Sequence, residues 1–173
     1  MREAFQILES QGFVVREPRK GISVAKITPQ EAEDIYRIRA GIEGLALSLA
    51  VQKQTPELLK KLKNLNAQMV QASEKKNGKT YNNLNQKFHE LIVSACGNQR
   101  LAQLIRSFDK QTMRYRLAIV SSPGWMTNST KIHAALIAAF EAGDADAAER
   151  IRKNSILGQI RQFSEIFKNG GEG

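Results

Sequence analysis

From Thr28 onward the sequence is cut into helix-length pieces by its own start and stop signals, and this punctuation constrains the fold more than any other feature. "TPQE", at Thr28 to Glu31, offers a capping side chain, a proline at the first helical position and a glutamate three residues beyond the cap. Those are the parts of a capping box. The Thr-Pro start recurs at Thr55 and Pro56, and stops follow at Asn77-Gly78, at Gly97, at "SSPG" and at "AGD". The pieces between them predict helices over 28–51, 55–77, 80–95, 98–120, 126–142 and 144–168. Short loops between successive helices make neighbours antiparallel, which is an all-α bundle. With 173 residues, 42% of them apolar, the chain can bury a sizeable core.

The first 27 residues read differently. Phe5, Ile7 and Leu8 share a helical face, and Gly12 sits where a left-handed terminating residue belongs. Phe13 to Arg16 and Ile22 to Ile27 are short β-branched runs flanking "EPRKG", a turn sequence, so a β-hairpin is expected there. The expected fold class is therefore all-α. An antiparallel bundle of six to seven helices is preceded by a short helix and a hairpin, with boundaries at 1–27, 28–169 and a tail at 170–173. A helix followed by a basic two-stranded hairpin is the back half of a winged helix-turn-helix. On that reading Arg2, at the helix start, and Arg19 and Lys20, at the hairpin tip, contact DNA. The other reading is a hairpin that packs on the bundle with its charges solvated.

Several classes are disfavoured. The longest apolar run, near 132–140, is too short to span a bilayer, and the N-terminus lacks the order of a secretory signal. One cysteine, Cys96, leaves no internal disulfide, fits a reducing cytoplasm and reads as a buried structural thiol. A formal net charge of +9 favours polyanions or anionic ligands as partners. The lysines of the second bundle helix, Lys60, Lys61 and Lys63 with Lys75 and Lys76 after them, read as a solvated face, with nucleic-acid contact as the alternative. Repeated Glu-x-x-His pairs, a nucleophile elbow and a phosphate loop are all missing, so no enzyme is expected. A metal-dependent enzyme and a pure interaction module stay open as other readings.

The chain resembles GntR-type bacterial transcription regulators of the FadR subfamily, whose C-terminal ligand-binding half is the FCD type. The resemblance rests on Met1-Arg2-Glu3-Ala4-Phe5, Ser10-Gln11-Gly12-Phe13-Val14, Arg19-Lys20-Gly21, Thr28-Pro29-Gln30-Glu31, and Arg39 with Glu43. The later runs "FHELIVSACGNQRL" and "IHAALIAAFEAGDADAAER" agree with it. It implies a cytoplasmic, homodimeric, ligand-responsive regulator that senses a small organic acid in the bundle and binds an operator. In that family the DNA-binding domain begins with two further helices. The expectation is that residues 1–27 are a partial, remnant winged helix, and that operator binding belongs to the full-length form.

The resemblance also implies a site. Family members hold a divalent metal through one Asp and three His, the first two as Asp-x-x-x-His. Here that motif holds Asn85 and His89, the third position matches His133, and the fourth holds Ser155. Arg39, Asn85, His89, His133 and Ser155 are thus the expected effector-binding residues, and His89 with His133 form an incomplete metal site. No tightly bound cofactor is expected. Zinc, nickel or manganese would be held only if the effector's carboxylate completed the shell. Otherwise the side chains hydrogen-bond an organic acid, with one histidine protonated and Arg39 assisting. Arg39 has a second reading, a simple i,i+4 pair with Glu43. Arg114 and Arg116, two apart, cannot share a helix face, and Trp125 either covers the pocket or merely packs.

Overall fold

The structure is a computed structural model that describes residues 2–10, 14–18, 21–24, 28–112 and 124–170. Helix α1 (Arg2–Ser10) leads into strands β1 (Val14–Glu17) and β2 (Gly21–Val24). The strands pair antiparallel, from Val14 opposite Val24 to Glu17 opposite Gly21. The bundle follows as α2 (Pro29–Gln52), α3 (Pro56–Glu74), α4 (Gly78–Ala95), α5 (Gln99–Gln111), α6 (Trp125–Ala142) and α7 (Ala145–Gly170). The expected all-α class with its leading hairpin is what the chain adopts.

Caps explain most of these boundaries. Thr28 Oγ1 accepts from the Glu31 N–H at 3.2 Å, while Glu31 Oε2 accepts from the Thr28 N–H at 3.2 Å, so the capping box is complete. Thr55 caps α3, and Asp144 Oδ1 caps α7 by accepting from the Ala147 N–H at 2.8 Å. One boundary differs. Helix α3 stops at Glu74 rather than near 77, and α4 starts at Gly78 rather than Thr80. Lys76 takes a left-handed φ of 51°, and Asn77, expected to end α3, instead caps α4 through the Thr80 N–H at 3.0 Å. Within α5 the described helix ends at Gln111, and Arg114 and Arg116 lie outside the described residues.

Replacing Thr28 by alanine removes one accepted bond at an exposed helix start. The expected loss is about 1 kcal/mol, a fall of roughly 2–4 °C in Tm by calorimetry for a chain of this size. An unchanged Tm would show that the box contributes nothing beyond proline's preset φ.

The main core joins Leu47, Leu62, Met69, Tyr81, Phe88, Ile92, Leu136 and Phe140, drawn from α2, α3, α4 and α6. Its long partner is α7, which packs along α2 more extensively than any other pair of elements touches. Gly44 permits the closeness: a Cβ there would lie 3.0 Å from Lys153 Cγ and 3.1 Å from Glu149 Cγ. A second cluster of Ala32, Tyr36, Ala40 and Ile156 continues that contact towards the start of α2. Cys96 is buried, as expected of a structural thiol. Lys60, Lys61, Lys75 and Lys76 are exposed, and Lys63 pairs with Glu141 across the surface. No helix among the described residues is long and apolar enough to cross a membrane.

Candidate functional site

Helices α2, α4, α6 and α7 enclose a cavity of about 450 Å³. Every residue expected to bind an effector lines it: Arg39 from α2, Asn85 and His89 from α4, His133 from α6 and Ser155 from α7. Asn85 and His89 are four apart and so share a face of α4. Trp125, at the start of α6, lines the cavity and also packs edge-on against Tyr81, ring centroids 5.3 Å apart. Arg19 and Lys20 lie outside the described residues, and Arg2 is the first residue of α1, remote in sequence from this cavity.

The two histidines meet. Their Nε2 atoms are 3.3 Å apart, and the His133 ring lies 4.4 Å from the Phe88 ring. Burial, helped by the positive charge of Arg152, pushes His133 down to about 3, so this imidazole is neutral near pH 7. The expectation of a protonated histidine does not hold for His133. Arg152 Nη1 approaches His89 Nε2 at 3.4 Å. A guanidinium only donates, so where this contact is a hydrogen bond His89 Nε2 accepts it, and in that tautomer the proton between the rings belongs to His133 Nε2. His133 Nδ1 is then an acceptor, and it is buried without a partner, as is Asn85 Oδ1.

Behind the histidines lies a buried charge network. Arg39, Glu43 and Arg152 are only 4%, 4% and 7% exposed. Glu43 stands between the two arginines. Its Oε1 accepts from Arg39 Nε at 2.8 Å, and its Oε2 accepts from Arg152 Nε at 2.9 Å and from Arg152 Nη2. Burial alone would raise the Glu43 carboxyl, but Arg152 and Arg39 outweigh it and hold it below the usual carboxylate range. Arg39 also donates to Thr112 Oγ1 and to Asp109 Oδ1, each at 3.2 Å. Burial opposes its charge, yet Glu43 and Asp109 together raise its pKa. The i,i+4 pair with Glu43 is thus present, and all three nitrogens of the Arg39 guanidinium are engaged.

The family's metal can be tested against this geometry. Two imidazole nitrogens 3.3 Å apart are well spaced to share one ion. The rest of the site does not fit one. An ion bonded to His89 Nε2 at about 2.1 Å would lie within about 5.5 Å of Arg152 Nη1. At an effective dielectric of about 20 the guanidinium alone repels a divalent charge there by roughly 6 kcal/mol, offset in part by its partner Glu43. The remaining donors, Asn85 and Ser155, are neutral and bring no charge to offset the ion. Among the described residues, no three His, Cys, Asp or Glu gather as a metal would require.

Residues 34–156, lying wholly within the bundle, match the FCD domain. The chain belongs to the FCD family of GntR-type regulators. It is 32% identical over 109 residues to the HTH-type transcriptional regulator YdhC of Bacillus subtilis, a match covering 61% of this chain and 47% of that protein. It is 30% identical over 174 residues to the HTH-type transcriptional repressor GlaR of Escherichia coli, covering 92% of this chain and 76% of the relative. Among solved structures, E. coli McbR/YncC shares the fold with a TM-score of 0.80 at 23% identity, over 95% of this chain and 83% of that one. The chain spans about half the length of the B. subtilis relative it matches.

Within this FCD chain, two residues of the site hold roles that the sequence does not announce. Arg152 is one, although it stands three residues before Ser155 and therefore on the same face of α7. Glu43 is the other. Seen only as a partner for Arg39, it also holds Arg152, which is 109 residues away in the chain.

Proposed function

We propose that the bundle is the sensor of a ligand-responsive transcription regulator, taking a small organic acid into the cavity between α4, α6 and α7. The observation that carries this reading is the charge of the walls: among the described residues, two arginines and no carboxylate line the cavity. The relatives' names support regulation over catalysis, since they are helix-turn-helix regulators and a repressor. Operator DNA is the partner assigned to α1 and the β1–β2 hairpin, with Arg2, Arg19 and Lys20 as the contacting cations. A homodimer would supply two half-sites. Exposed Ile38 and Leu45, seven apart on α2, offer an apolar stripe suited to self-association.

Thermal shift against small carboxylic acids tests the sensor reading. At a hundred times its Kd a ligand adds about 2.7 kcal/mol, or roughly 5–10 °C in Tm for a chain of this size. The same preparation should show the mass of a dimer by light scattering. A flat response to every acid would end the reading.

A further inference from the structure

We infer that in this pocket Arg152 stands in place of a metal ion: its guanidinium, anchored by Glu43, receives the carboxylate of a hydroxylated monocarboxylic acid, with no metal taking part. This rests on the sensor reading above and gives it a ligand class.

The anchoring is built in. Arg152 Nε and Nη2 both donate to Glu43 Oε2, and Glu43 is itself fixed by Arg39 on its other oxygen. Glu43 takes two of Arg152's five N–H donors and His89 a third, which leaves two for the cavity. A guanidinium held this way meets a carboxylate without further ordering, which is the condition for tight binding. Arg39 offers little to a second carboxylate, because Glu43, Asp109 and Thr112 take all three of its nitrogens. One open guanidinium edge matches one carboxylate, hence a monoacid.

The opposite requirement comes from the neutral walls. Asn85 Oδ1, His133 Nδ1 and Gln162 Oε1 are buried acceptors without a partner, and all three residues line this cavity. Acceptors are satisfied only by donors, and leaving them unmet is costly. A bare alkyl chain brings none, nor does a carboxylate. Hydroxyl groups along the acid's chain do.

The test is titration calorimetry in a chelating buffer with L-threonate and D-ribonate, against butyrate and valerate as chain-matched acids lacking hydroxyls. Each acid is repeated with added zinc. A hydroxy acid is expected to bind without metal, at least about tenfold tighter than its matched acid. Arg152→Gln should weaken it about a hundredfold, and Arg152→Lys, which keeps the charge but loses the fork, should fall between. Both variants leave Glu43 paired with Arg39, so both are expected to fold, which far-UV circular dichroism checks. Binding that needs zinc, binding unchanged in Arg152→Gln, or stoichiometric zinc retained by the unaltered chain through dialysis would overturn the assignment to Arg152 while leaving the acid sensor standing. Equal affinity for threonate and butyrate would overturn the ligand class. Failure of all four acids, with and without zinc, would overturn this inference, while the sensor reading falls only if thermal shift is also flat for every acid.

Discussion

Glu43→Gln is expected to cost roughly 3–5 kcal/mol of folding stability, the range for breaking a buried ion pair by removing one partner. That is a large share of a typical total of about 5–15 kcal/mol. The reason is arithmetic of charge. Glu43 is the one buried carboxylate between two buried guanidiniums, and it accepts from both. Without it, Arg39 keeps Asp109 and Thr112, but Arg152 keeps only its long approach to His89. Glutamine makes matters worse, because one of its two polar atoms is an NH2 facing a donor. Removing Arg152 instead leaves Arg39 and Glu43 matched one to one, so Arg152→Gln should cost clearly less. Urea unfolding of both variants gives the comparison. A Glu43→Gln loss below about 1 kcal/mol, or equal losses for the two, would show that water reaches the network and screens it.

Phe88→Ala should cost about as much, roughly 3–5 kcal/mol, but through packing. Phe88 is fully buried, its ring 4.4 Å from the His133 ring and edge-on to His89 at 5.5 Å. Truncation leaves a void that the surrounding helices close only in part, and both imidazoles lose the wall that orients them. Phe88→Leu keeps most of the volume and is expected to lose under about 1.5 kcal/mol. Urea midpoints with unchanged m-values would report the difference. A small loss for alanine would mean that the site collapses freely, contrary to a preformed pocket.

The boundaries of the helices were legible in the sequence because they are decided within four residues. A Thr-Pro-x-Glu start carries its own donors and acceptors, so "TPQE" at Thr28 becomes a capping box whatever lies around it. Asn77 shows the limit of such reading. As a stop signal and as a cap its side chain is the same, and the left-handed turn at Lys76 settles which role it plays. Part of the cavity's lining was legible through the family resemblance, whose ligand positions hold Asn85, His89, His133 and Ser155.

The sequence by itself thus determined the helical class, the order of the helices and most of their ends. What the pocket does with charge was decided only in three dimensions. Nothing local links Arg152 to Glu43, since the pair forms where α7 lies close over α2 at Gly44. Nor does any local signal tell that His133 is neutral, because burial in the assembled bundle is the first cause and Arg152, nineteen residues on, is the second. Capping and helix faces depend on backbone geometry and short spacing. The state of a buried charge depends on which distant charges share its low-dielectric surroundings, and only the folded chain brings those together.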